Sequence, residues 1–593
     1  MKQHVGLVVA GVAALAIGWR TEKIDQFFEC QFMARVRQDP EQLTRLRILE
    51  PKGIDSHNAA LTDASDTFRR RQIEQARRDL AVLRSYDRAR LTPSQRLSAD
   101  ILEWQLDSEV RDEPFLYHNY PVNQLFGVQS ELPTFMVTMH QINRKRDAVH
   151  YIKRLSKFGI KFDQVLDGLQ VREARGIIPP TFVVEKVLAQ MRSFVGQPSQ
   201  SNILYTTFIE KVNALNGVSD GEKRALRRDA DEQIKRIIYP AYAKLIAYFE
   251  TLRPKSTSDA GVWKLPDGDV FYIYALQRHT TTKMTPEEVH ELGLAEVGRI
   301  EAELRERLDK LGIHCDKVGE CLRQLNTDPR FRYPEDDTGR AAVMADYNAI
   351  LDEVQQRISG VFDLRPKVGV KVERVPAFKE KTAPGAYYNP PSFDGTRLGV
   401  FFVNLGKVSD TPKYQMKSLA CHEAIPGHHF QLTIQQEVAG LPLFRKDARF
   451  TAYIEGWGLY AERLAWECGL YQEDPAGDIG RLWYELFRAV RLVVDTGIHH
   501  KRWTREQAMA YELEHTGSPE EVEVDRYIVN PGQACAYKIG ELKILELRER
   551  ARRELGDRFD IKDFHNVVLQ NGAMPLEILE RVVNDYIARK RAA

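Results

Sequence analysis

An excess of charge of one sign is the first thing missing from this sequence. Its 593 residues hold 85 Lys and Arg against 84 Asp and Glu, a net charge of +1. No overall field draws nucleic acid or an anionic surface, and nucleic acid is not expected as a partner. Cysteine is also scarce. The six present (30, 315, 321, 421, 468 and 535) are too few for a disulfide framework. Cys315 and Cys321 are close enough to pair in an oxidising compartment, and Cys421 reads as a packed small residue rather than a nucleophile. Long apolar runs are absent too: Val5 to Trp19 falls short of the ~20 residues that a membrane span needs. It suits the h-region of an export signal, with Ala14-Leu15-Ala16 as a small-x-small cleavage site and no cysteine just after it. Residues 1–20 are therefore read as a signal peptide or N-terminal anchor. The protein is expected to be exported to the periplasm or cell envelope, with any membrane association confined to that end. There is no internal repeat and no low-complexity tract.

What remains is a chain with 43% hydrophobic residues, enough for a large core, and a mainly helical pattern. Residues 21–250 read as a helical N-terminal lobe. Phe68 to Asp87 is amphipathic, and Thr92-Pro93 opens a further helix with Thr as N-cap and Pro at N1. Residues 251–593 read as a second lobe, in which Thr285-Pro286-Glu287-Glu288 is a capping box for a helix to about Leu311. From Val368 the apolar period changes from helical to alternating. Val368, Val370 and Val372 predict one strand and Leu398 to Leu405 another, so a small sheet is expected at about 368–405. Thr411-Pro412 is expected to cap the helix that follows, Phe450 to Trp466 to form its partner, and Arg481 to Val494 a further helix leading into Asp495-Thr496-Gly497-Ile498-His499-His500.

The helix after the sheet carries Cys421-His422-Glu423-Ala424-Ile425-Pro426-Gly427-His428-His429-Phe430-Gln431. Two imidazoles and a carboxylate on one segment are how a zinc hydrolase presents two ligands and a general base. The histidine usual at i+4 is missing, and Pro426 stands there. In an unbroken helix His422 and His428 would lie ~9 Å apart along the axis and ~120° apart around it, too far for one ion. Pro426 lacks an N–H and its ring clashes with the carbonyl of His422 in regular helix, while Gly427 widens the backbone's choices. The helix is therefore expected to run to Ile425, break, and resume after Gly427, swinging His428, or alternatively His429, back towards His422. His429 keeps the helical phase, ~20° from His422, but not the reach.

His-Glu-Ala-Ile-Pro-Gly-His-His-Phe-Gln, followed by Glu455-Gly456-Trp457-Gly458-Leu459-Tyr460-Ala461-Glu462, resembles a bacterial family known only as a domain of unknown function, number 885. That family is similar to the helical gluzincin-type zinc metallopeptidases. The resemblance covers nearly the whole chain. It implies a mainly α, zincin-like fold of two lobes around a cleft, a small sheet beside the active-site helix, and Glu455 as third metal ligand with His422 and His428. It also implies that Gly385 to Tyr388 is an edge strand that takes the substrate backbone; the alternative is a plain hairpin.

The implied cofactor is Zn2+ and the implied reaction is hydrolysis of peptide or small amide bonds, with Glu423 passing a proton from water to the leaving amine. Tyr527 and Tyr537, with His499 as a third choice, are the candidate oxyanion donors. Glu462 or Asp495 is a candidate partner for a ligand imidazole, and Arg491 or Arg526 for a substrate carboxylate. Gly456 and Gly458 within one helical turn suggest close approach of another backbone or of substrate. The same residues leave room for a non-catalytic, zinc-containing peptide-binding or structural envelope protein, or for a hydrolase of non-peptide amides.

Overall fold

The computed structural model describes residues 23–377, 380 and 383–592. The expected leader or anchor at residues 1–20 lies outside these, and among the described residues no helix is long and apolar enough to cross a membrane.

Helices begin where local chemistry satisfies their free N–H groups. Ser65 caps α1 (Asp66–Arg84). Thr92 and Gln95 exchange side-chain-to-backbone bonds at the start of α2 (Pro93–Arg111), with Pro93 where a missing N–H costs nothing. α3 (Gly268–Thr280) leads to α4 (Pro286–Lys310), opened by the same reciprocal pair, Thr285 and Glu288. α5 (Asp337–Arg357) precedes the sheet.

Packing cuts across sequence order. Ile24, Phe28, Leu80 and Leu102 share one core with Phe430, Trp457, Leu547 and Leu579, so the first hundred residues lie against the C-terminal helices. A second core is built mainly from Leu116 to Tyr272, and a third joins Ile300 and Leu304 of α4 to Leu486, Val490 and Tyr527.

The sheet has three strands, β1 (Val370–Arg374), β2 (Ala386–Asn389) and β3 (Gly399–Val403), in the order β1-β3-β2. β1 runs parallel to β3, whereas β2 is antiparallel and, among the described residues, paired on one side only. Central β3 is buried at every residue, and its Phe401 and Val403 pack with Tyr347 of α5 against Met416, Ala420 and Ala424 of the histidine segment. The sheet thus lies on the motif helix, as expected.

Several boundaries differ from expectation, among them the end of the motif helix, which stops at Glu423 and does not reach Ile425 because the chain turns out of helical angles at Ala424. Thr411-Pro412 does not cap the motif helix: a 3-10 turn at Lys413–Gln415 intervenes, and α6 (Met416–Glu423) starts after it. α7 (His428–Glu437) and α8 (Thr451–Glu467) follow, and α9 runs from Pro475 to His499 without ending at Val494. Thr496 and Gly497 are poor helix formers, yet this turn is buried. A Cβ at Gly497 would come within 2.4 Å of the Trp503 ring, so packing overrides propensity. α10 (Arg505–Thr516), α11 (Glu521–Val529) and α12 (Ala536–Leu555) complete the elements around the site.

α8 and α12 cross with their backbones in contact. A Cβ on Gly540 would sit 1.8 Å from the Ala452 carbonyl oxygen, and one on Gly456 2.5 Å from Gly540 Cα. Gly540→Ala should therefore force the helices apart and cost about 1–3 kcal/mol. An unchanged melting temperature by circular dichroism would show that the two backbones do not meet there.

Candidate metal centre

The histidine segment breaks where the proline requires it. α6 ends at Glu423, Ala424 takes φ −113° and ψ −94°, the Ile425–Pro426 peptide is cis, Gly427 takes φ −76° and ψ −128°, and α7 starts at His428. The His422 and His428 rings consequently stand 4.6 Å apart between centroids, edge to face. Gly427 is needed here for space rather than for a left-handed φ: a Cβ would lie 1.9 Å from the His422 carbonyl oxygen and 2.3 Å from that of Cys421. Trp457 Nε1 donates to the Pro426 carbonyl at 2.8 Å and pins the reversal from α8.

The break also separates the two candidate histidines. His428 Nε2 lies 3.2 Å from Glu455 Oε2. His429 turns to the sheet, where its Nδ1 is 2.9 Å from the Tyr388 hydroxyl of β2, and burial lowers its pKa to about 4.

Glu455 and Glu462 are seven residues apart on α8, nearly in phase, and they meet the two nitrogens of one imidazole. Glu455 Oε2 is 3.4 Å from His422 Nε2, and Glu462 Oε1 is 2.8 Å from His422 Nδ1. The other Glu462 oxygen accepts from the Ser418 hydroxyl. Gly458 lies against the same ring, since a Cβ there would come 2.6 Å from His422 Cε1. The close approach expected at the glycine pair is thus a backbone at Gly456 and an imidazole at Gly458. With Nδ1–H donated to Glu462, the lone pair of His422 Nε2 faces inward, beside His428 Nε2 and Glu455 Oε2.

The ligand-capable atoms of His422, Glu423 and His428 all lie within 4.8 Å of one another, and all three residues are buried. They form a cluster able to hold a metal ion, with Glu455 against both rings. Electrostatics favour a cation. Burial opposes a proton on His422, but Glu455 and Glu462 outweigh it and push the pKa up to about 9. Burial likewise raises Glu455, yet His428 and His422 hold it well below the usual carboxylate range. Glu455 Oε2 is buried and accepts no hydrogen bond although two imidazole nitrogens face it. A buried carboxylate oxygen left in that way is costly unless a cation takes the place of the missing donors.

The other predicted residues fall into two groups. Tyr537 lies nearly parallel to the His422 ring, 13° between planes and 6.3 Å between centroids, and its hydroxyl accepts from Arg526 at 2.8 Å. Tyr527, 1% exposed, accepts from Arg491 Nε at 3.1 Å. Asp495 and His499 make contacts elsewhere. Asp495 accepts from Tyr272 and from the Gly532 amide, and His499 binds the Val262 amide through Nδ1 and the Tyr527 carbonyl through Nε2. Asp495 shapes the loop between α11 and α12, His499 ties α9 to α11 and to the turn at Val262, and Glu462 is the acid that meets a cluster histidine. Cys421 is fully buried, which pushes its thiol well up and leaves it packed rather than nucleophilic. Two residues escaped sequence reasoning: Ser418, one turn before His422 and so on its face, and Trp457, whose indole role depends on the unusual reversal.

Residues 40–583 match a family described as "Bacterial protein of unknown function (DUF885)". No curated protein matches the chain. Among solved structures, it is similar to a "putative lipoprotein" from Colwellia psychrerythraea, with 32% identity, a TM-score of 0.92, and coverage of 95% of this chain and 99% of that one. It also shares its fold with a "putative lipoprotein of unknown function" from Shewanella oneidensis, with 18% identity, a TM-score of 0.70, and coverage of 95% and 100%.

Two expected outcomes follow from these contacts. Glu462→Gln should lower affinity for zinc about 10- to 100-fold while the fold is kept, as read by competition with a chromogenic chelator; unchanged affinity would detach Glu462 from the centre. Burial raises the Asp495 carboxyl to about 7 despite its hydrogen bonds, against an unfolded value near ~3.9. The native state then holds a proton that the unfolded chain releases. Stability from this group is full below pH ~4 and is lost as pH rises to ~7, by at most about 1.4 kcal/mol per unit. Urea melts of Asp495→Asn should lack this slope, and pH profiles parallel to wild type would refute it.

Proposed function

This chain belongs to the bacterial DUF885 family, whose description assigns no function, and we propose that it is a zinc-dependent hydrolase cleaving amide bonds of short peptides. The observation that carries the reading is the unbonded Glu455 Oε2 facing the Nε2 atoms of His422 and His428. The donor set fits: two imidazole nitrogens and one carboxylate suit zinc and leave its fourth position open. His422, His428 and Glu455 would hold it. Zinc bound there supplies the Lewis acidity that lowers the pKa of a water towards ~7 and polarises a carbonyl.

The remaining work falls to the chain. Glu423 is the last residue of α6, next to a ligand and inside the same 4.8 Å cluster. Its carboxylate takes the proton released as water attacks the carbonyl and returns it to the departing amine. Tyr537, lying along the His422 ring, has its oxygen engaged as acceptor by Arg526, which leaves the O–H to donate to a developing oxyanion. Tyr527, which accepts from Arg491 and stands beside Glu512, is the second candidate donor. The free edge of β2 offers backbone groups to an extended peptide.

An exported, envelope location is supported by the similarity to the Colwellia protein described as a "putative lipoprotein" and by the Cys315–Cys321 disulfide, a bond that persists in oxidising compartments.

Glu423→Gln should retain one equivalent of zinc by elemental analysis and lose about 10²- to 10⁴-fold in hydrolysis of a peptide library followed by mass spectrometry. His422→Ala should lose both metal and activity. Undiminished turnover by Glu423→Gln would sink the mechanism.

A further inference from the structure

The geometry points to a built seat for a peptide's free C-terminal carboxylate, formed by Arg491 of α9 with Arg526 of α11. The substrate class would then be short peptide acids rather than internal segments or capped ends. What happens to the bound peptide rests on the hydrolase reading; the seat itself does not.

Arg491 is 4% exposed in its side chain. Its Nε donates to Tyr527 Oη at 3.1 Å and its Nη2 to Glu523 Oε2 at 2.8 Å, while buried Nη1 has no partner. Its Cζ lies 4.5 Å from the ring centroids of both Phe487 and Tyr537. Arg526 donates through Nη2 to Tyr537 and Gln533 and reaches Glu523 at 3.4 Å, and its buried Nε is also unbonded. A third guanidinium, Arg488, has an unbonded Nε and lies 3.9 Å from Glu462.

Other acids do not satisfy these N–H groups. Glu523 is shared between Arg491 and Arg526, and Glu462 is engaged by His422 and Ser418. Glu512, fully buried beside Tyr527, and Glu520 are pushed up towards the neutral form by burial. Buried guanidinium N–H groups without acceptors are costly, and a carboxylate, charged and with two acceptor oxygens, is the group that satisfies them.

Position gives the seat its meaning. Tyr537 is the shared wall, with the His422 ring 6.3 Å from its centroid and Arg491 Cζ 4.5 Å from it. The guanidinium is therefore within about 11 Å of the His422 ring, the reach of about three extended residues. A carboxylate on Arg491 would leave one to three residues beyond the cleaved bond.

The test uses one tetrapeptide library made twice, with free C-terminal carboxylates and as C-terminal amides. Zinc-loaded wild type should favour the acids about 10- to 100-fold in kcat/KM, the range of one charge-assisted bond. In Arg491→Met the acid-to-amide ratio should collapse to near one, and in Arg491→Lys it should be partly restored. Calorimetric binding of both libraries to Glu423→Gln should show the same preference without turnover. Equal cleavage and equal binding of acids and amides would overturn the seat and leave the hydrolase standing. No cleavage of either library together with preferred binding of acids would overturn the hydrolase and leave the seat. Should Arg491→Met fail to fold, the wild-type acid-to-amide comparison still decides.

Discussion

The reversal of the chain between Glu423 and His428 is the constraint on which the rest of the centre depends. A helix that continued would carry the second imidazole out of reach of the first. Here the backbone turns so sharply that Gly427 sits on the carbonyls of His422 and Cys421, with no room for a side chain. The turn holds because a partner helix holds it: the Trp457 indole takes the carbonyl of Pro426, a group left without a helical donor. Sequence and tertiary contact are thus both necessary. Pro426 stops the helix, and α8 decides where the chain goes next.

α8 organises the centre in three further ways, each traceable to residue spacing. Glu455 and Glu462 share a face and grip opposite nitrogens of His422. Gly458 opens a recess for that ring, and Gly456 lets α12 approach at Gly540. The crossing sets more than stability, because Tyr537 lies one turn before Gly540 and is carried against the His422 ring by the same contact. From Tyr537 the network passes to Arg526 and Arg491, and through Glu523 and Tyr527 it joins α9 to α11. The histidine cluster and the guanidiniums therefore belong to one packed arrangement.

Much of this was legible in the residues themselves. Helix starts at Thr92 and Thr285 are written in short-range capping chemistry and appear as read. The break at Pro426 follows from the missing amide, and the shared face of Glu455 and Glu462 from helical period. Less legible was anything decided by partners distant in sequence. Reach favours His428 over His429 but does not say where His429 goes; the Tyr388 hydroxyl, some forty residues upstream, meets it. Asp495 and His499 look as reactive on paper as Glu462 does, but their neighbours are Tyr272, Gly532 and the Val262 amide, all brought in by folding. The continuation of α9 through Thr496 and Gly497 was hidden for the same reason, since burial against Trp503 outweighs weak propensity.

The bond between Tyr388 and His429 has a mechanical side. His429 is joined to His428 by a single peptide unit, and Tyr388 belongs to the outer strand, so the sheet and the imidazole beside Glu455 are linked through one hydroxyl and one residue of chain. A shift of β2 sideways or along its axis would tug on the first turn of α7. The strand thus serves as a ruler fastened to the centre, and whatever lies along it is measured from the same origin as the histidine cluster.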